Sequence, residues 1–212
     1  MRRAALLLHI HRITVARKLR FLAAQARRRS QNDLERWPKI SEFQFDELET
    51  IEHSKCKPLS VAMAVLPQSR KILGFEVAVM PAKGPLVSLA RKRYGFRPDR
   101  RGRALDALFE RIRPMVSQRP ILRSDQNPRY PRHVFRHFPK ARHVTVEGQR
   151  GSLGGQGELK KIRFDPLFSL NHTFAMLRAN VNRLIRKTWC TTKRPEALAD
   201  HLAIYAQYHN SV

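Results

Sequence analysis

Carboxylates are scarce in this chain. Its 212 residues carry 17 Asp and Glu against 42 Lys and Arg, a formal net charge of +25. An imbalance of that size repels itself unless polyanions offset it, which argues against an ordinary metabolic enzyme and for a nucleic-acid partner. Cysteine is nearly absent too. Cys56 and Cys190 are the only two, too few for a disulfide framework or a four-cysteine zinc site, and they fit a reducing, cytoplasmic setting. No apolar run reaches the roughly 18 residues of a membrane span, so no transmembrane helix or membrane partner is expected. Wholesale disorder is excluded from the other side: 42% of the residues are hydrophobic and 13 prolines are spread along the chain. One full-sized domain with a short appendage remains.

The first 32 residues contain no acid and nine Arg and Lys. An import peptide can look like this, but the rest of the chain is as basic and needs no import to explain it. Val15, Leu19, Leu22 and Ala26 recur at helical spacing, with Thr14 just ahead in the place of an N-cap. A short helix over about 4–9, a break, and this basic helix would form the tail of a helix-turn-helix that turns Thr14, Arg17, Lys18 and Arg20 towards DNA. A solvated basic face is the plainer alternative. The reading is a basic helical DNA-binding remnant over 1–29, a linker over 30–41 in which Pro38 ends the helix, and a main domain over 42–212.

From 42 onwards the pattern turns extended. Residues 42–51 alternate, with Phe43 and Phe45 on one face and Gln44, Asp46 and Leu48 on the other. Strands over 59–66 and 71–79 follow, making an antiparallel meander. Helices over 86–93 and 103–116 flank the basic loop 94–103. A short strand (120–123), a helix (131–138), a strand (142–146) and a last helical region complete the order. The fold class is therefore α/β, a mixed sheet with flanking helices, in the element order of the ribonuclease-H-like fold, preceded by the short helical segment.

The few acids are unevenly placed. Glu42, Asp46, Glu47, Glu49 and Glu52 lie within eleven residues at the first strand. In so basic a chain an acidic spot is where divalent cations collect, and Mg²⁺ is held by one or two carboxylates with water and phosphate. Asp125 closes the fourth strand, and it and Asp46 can converge on one site. The plain alternative is a turn-capping Asp125 and a solvent-facing Asp46 that offsets nearby Arg.

Three stretches then carry a resemblance: Phe45-Asp46-Glu47-Leu48-Glu49, Ser124-Asp125-Gln126-Asn127-Pro128-Arg129-Tyr130, and Arg183-Leu184-Ile185-Arg186-Lys187-Thr188. Thr192-Lys193 and a closing helix with Tyr205, Tyr208 and His209-Asn210 fit as well. Residues 43–212 resemble the catalytic part of DDE transposases of the small bacterial insertion sequences, the "insertion sequence one" group. The resemblance implies a ribonuclease-H-like fold and a DNA transposase. In its two-metal phosphoryl transfer, with Mg²⁺ or Mn²⁺ at Asp46 and Asp125, a terminal 3′-hydroxyl of the element attacks target DNA. It also implies homo-oligomers on DNA in the bacterial cytoplasm, at the nucleoid, and a helix-turn-helix remnant without the zinc-binding segment that usually precedes it.

One position departs from the family. Its catalytic Glu falls here on Asn171, beside a stripe of Leu170, Phe174, Leu177, Val181 and Leu184. Asn171 has a ligand's direction without its charge, so weaker metal binding is expected. Glu158 or Asp165 could stand in, although Asp165-Pro166 reads as a helix N-cap. His172 points about 100° away. Arg178, Arg183, Arg186 and Lys187 follow along the helix as phosphate contacts.

Weaker signals add little. The glycines Gly151, Gly154, Gly155 and Gly157 before Lys160-Lys161 match neither a P-loop nor a dinucleotide fingerprint. His53-x-x-Cys56 is at most half a zinc site. Two further readings stand beside the transposase: a catalytically impaired relic that only binds DNA, and a basic RNA-binding structural protein. The acid cluster speaks against the last.

Overall fold

The computed structural model describes residues 2–147, 165–184 and 191–212. The glycine-rich segment with Lys160-Lys161, together with Glu158, Arg186, Lys187 and Cys190, lies outside the described residues.

Strands β1 (Ile40–Glu52), β2 (Ser54–Val65) and β3 (Ile72–Val79) form the expected antiparallel meander. Its turns are tight: His53 alone separates β1 from β2, and Gln68 and Arg70 between β2 and β3 both have positive φ. The chain then crosses through α3 (Leu86–Tyr94) and α4 (Arg101–Ile112). A crossover of that length lets the next strand run parallel. Accordingly β4 (Val116–Asp125) pairs parallel with the free edge of β1, and β5 (Arg142–Val146), after α5 (Tyr130–His137), pairs parallel with β4. The sheet order is β3-β2-β1-β4-β5. Two further helices, α6 (Phe168–Asn180) and α7 (Pro195–Ser211), complete the described elements.

Alternation along the strands divides two cores. On one face Phe43, Phe45, Ala62, Ala64 and Leu73 meet Leu105, Leu108, Phe109 and Ile112 of α4 and Tyr130 and Val134 of α5. Phe43, Phe45, Phe109 and Phe138 pack edge-on or tilted with centroids 5.0–6.3 Å apart. Each such buried ring is worth about 1.5–3 kcal/mol. Small residues set the closeness of α4, since a Cβ on Gly74 would come within 2.9 Å of a Leu108 methyl. On the other face Leu48, Leu59, Val61, Met63 and Val65 meet Leu170, Phe174 and Leu177 of α6 and Leu198 and Leu202 of α7.

The N-terminal region differs from its expected layout. α1 spans Arg2–Leu7, and α2 runs unbroken over Arg12–Glu35. Half of the supposed linker is thus helix, and only the short stretch around Pro38 connects it to β1. Thr14 lies inside α2, and the capping acceptor is the Nδ1 of His11, which takes the Ile13 N–H at 3.3 Å. The buried face turns on Ala23 and Ala26, while Leu22 is 49% exposed. These alanines pack on Ala203 of α7, and Arg27–Asp200 (2.7 Å) and Ser30–Gln207 (2.9 Å) flank the contact. Docking on α7 keeps the helix going, because packing of a face stabilises a helix more than propensity does. Among the described residues no helix is long and apolar enough to cross a membrane.

Candidate active site

Gln44 of β1 pairs with Arg123 of β4 in parallel register. Two residues further along each strand stand Asp46 and Asp125. The Asp46 Oδ1 accepts the Glu47 N–H at 2.6 Å and the phenolic O–H of Tyr130 at 2.8 Å. Burial pushes the Asp46 carboxyl up to about 7, and the charge of Asp125 pushes in the same direction; the bonds from Glu47 and Tyr130 oppose them. Asp125 accepts the Asn127 N–H at 3.0 Å through Oδ1. It therefore caps its turn, as the plain reading held, and faces Asp46 as well. Neither carboxylate has a cationic partner among the described residues.

The rest of the acidic strand is neutralised. Glu42 pairs with Arg123, Glu49 with Lys83, and Glu52 with Lys57 (2.7 Å) and Arg97 (3.0 Å). The Glu47 side chain, 8% exposed, accepts Arg129 at 2.8 Å and the Ser60 hydroxyl at 3.0 Å. Burial pushes Glu52 up, but the bonds from Lys57 and Arg97 outweigh it and hold the carboxyl below its ordinary range. Of five acids on β1, Asp46 alone sits beside another carboxylate instead of a cation.

Tyr130 is the support that sequence reasoning left without a role, although its motif was in view. Its ring is buried against Phe45, centroids 5.0 Å apart, and its hydroxyl reaches Asp46. Burial, then the Asp46 charge, push the phenol well above its ordinary range, so it stays a donor. Gln44 was missed as well. Its amide donates to the Pro166 carbonyl (3.0 Å) and accepts the Leu170 N–H (3.1 Å), fastening the start of α6 to β1. A buried amide at an inward strand position was the available signal.

Asn171 sits on exposed α6 surface and gives its side-chain N–H to Asp165 Oδ2 at 2.8 Å. Asp165 Oδ1 accepts the Leu167 N–H at 2.9 Å, so it caps the turn ahead of α6 and not the helix itself, whose N-cap position falls on Leu167 without a side-chain bond. His172 faces Arg70 at 3.1 Å. The carbonyl oxygen of Asn171 is what that side chain retains for a ligand. Among the described residues no three His, Cys, Asp or Glu gather as a metal-binding group. Asp46 and Asp125 supply two carboxylates, the usual protein share for Mg²⁺.

The basic residues divide. Thr14, Arg17, Lys18 and Arg20 are exposed on the outer half of α2, and Arg178 is exposed on α6. Arg183 corrects the expected row. The helix stops at Asn180, Val181 is extended, and Arg183 turns inward to the Thr191 carbonyl (3.2 Å) and the His201 ring (3.4 Å). It ties the chain together and is only half-exposed. The apolar stripe from Leu170 to Leu184 is buried as expected. Compared with known proteins, the chain matches no family model and no curated protein.

Proposed function

We propose that the chain is a ribonuclease-H-like, DDE-type DNA transposase or integrase that cuts and joins strands with Mg²⁺ or Mn²⁺ at Asp46 and Asp125. The observation carrying this reading is the convergence of those two carboxylates without a cation, in a chain of +25 whose other β1 acids are all paired. The strand order and the parallel β1–β4 pair that bears both aspartates support it. A bound divalent cation there supplies Lewis-acid polarisation of a phosphate oxygen. Tyr130 fixes the direction of the Asp46 carboxylate, and Arg129, held on Glu47, keeps the Asp125 turn in place. Exposed cations on α2 and α6 hold the DNA backbone, and copies assemble on the element ends.

A second reading, a relic that binds DNA without cutting it, is favoured by Asn171, which brings no charge and gives its N–H to Asp165. Nicking of supercoiled plasmid by the purified chain, with Mn²⁺ or with EDTA, decides between them. Cutting that requires Mn²⁺ and is lost in Asp46→Asn and Asp125→Asn supports the enzyme. DNA retained on a gel and never cut, by all three proteins alike, establishes the relic.

A further inference from the structure

Between α3 and α4 the chain runs Gly95-Phe96-Arg97-Pro98-Asp99-Arg100. Phe96 is 80% exposed, the most exposed aromatic ring among the described residues. A lone exposed ring ordinarily needs no explanation. This one stands on a loop fastened on both sides. Arg97 donates to the Met80 carbonyl (3.1 Å), the Glu52 carboxylate (3.0 Å) and the Pro58 carbonyl (3.2 Å). The Arg100 N–H bonds to the Val79 carbonyl at 3.0 Å. Asp99 takes the Arg101 N–H (3.1 Å) and its guanidinium (2.9 Å), and lies 3.7 Å from Arg129 of the Asp125 turn. The ring therefore stands on a loop fastened at Arg97 and Arg100, whose Asp99 approaches Arg129 of the Asp125 turn.

Its surroundings name the partner. Arg91, Lys92, Arg93, Arg100 and Arg103 are exposed, and none forms an ion pair among the described residues. A fixed aromatic face among unpaired cations is the arrangement that holds a nucleic-acid strand, the cations taking phosphates and the ring a base. A second copy of this chain would bring more positive charge to the same place. We propose that Phe96 stacks on an unpaired base of DNA whose backbone lies on these cations, on the loop whose Asp99 approaches the Asp125 turn. This rests on the DNA reading above and adds to it a preference for DNA with a single-stranded end.

The test is fluorescence-anisotropy binding in EDTA, so that the carboxylate pair plays no part. The probes are a blunt duplex and the same duplex with a short single-stranded overhang. Phe96→Ala is expected to bind the overhang DNA about ten-fold more weakly, with blunt-duplex affinity and salt slope unchanged. Phe96→Trp is expected to keep the affinity and to show quenched emission on the overhang DNA. Equal loss on both DNAs, or loss on neither, overturns the proposal. So does a change in oligomeric state with DNA binding intact, which would give the loop to contact between copies. If the wild type binds both DNAs and Phe96→Ala is unchanged, the stacking role alone fails; if the wild type binds neither, the DNA reading fails with it.

Discussion

Glu52 and Asp46 lie on the same strand and are driven in opposite directions. Glu52 meets Lys57 and Arg97 and is held as an anion below its ordinary range; Asp46 meets Asp125 and is pushed up to about 7. In both, burial works against the charge. What differs is the sign of the neighbour, and it separates an acid that stabilises the fold from one that is costly to keep ionised. A costly carboxylate pair is the feature a bound cation would relieve.

Four measurements break or sharpen that contrast. The largest effect is expected on metal affinity: Asp46→Asn or Asp125→Asn should weaken Mn²⁺ binding at pH 8 by about 100-fold or more in calorimetry. Wild-type binding should also fade as the pH drops below about 7, where a proton replaces the cation on Asp46. Undiminished affinity in both variants would mean the pair holds no metal.

Second comes stability. Because the folded-state value of Asp46 is raised, its ionisation opposes folding increasingly as pH rises from its ordinary 3.8 through about 7. Asp46→Asn should therefore stabilise the metal-free protein by about 2 kcal/mol at pH 8, and the gain should vanish near pH 4 in paired denaturant titrations.

Third, Glu52→Gln should do the reverse. A lowered carboxyl stabilises above its ordinary 4.5, and that contribution is lost as pH falls through the folded-state value. A cost of about 1 kcal/mol at pH 7, shrinking towards pH 3, is expected from the same titrations.

The smallest effect belongs to Tyr130→Phe, which removes the bond at 2.8 Å and leaves the ring packing. Mn²⁺ affinity should fall about five-fold, the worth of one hydrogen bond of about 1 kcal/mol, and the pH midpoint of binding should rise. An unmoved midpoint would deny Tyr130 a part in holding Asp46.

Much of this was legible beforehand where the signal is local. The meander, the strand over 142–146 and the opposite faces of Phe43/Phe45 and Gln44/Leu48 follow from alternation, and the buried Leu170, Phe174 and Leu177 from helical spacing. The end of α2 was not legible, because Ser30–Glu35 is polar apart from Leu34 and its helix is kept by contact with α7. The inward turn of Arg183 was not legible either: the helical row that would have displayed it breaks at Val181.

Sequence by itself determined the charge of +25, the scarcity of acids and their gathering on β1, since composition and order need no folding. It also determined which side chains share a face, because backbone geometry imposes a period of two on a strand. Only the tertiary structure decided which acids are neutralised and which are not. Most of the partners come from far along the chain, Arg129 to Glu47 across 82 residues and Tyr130 to Asp46 across 84. A carboxylate's role is set by the charge within a few ångströms of it, and that neighbour exists only once the sheet has brought β1 beside β4.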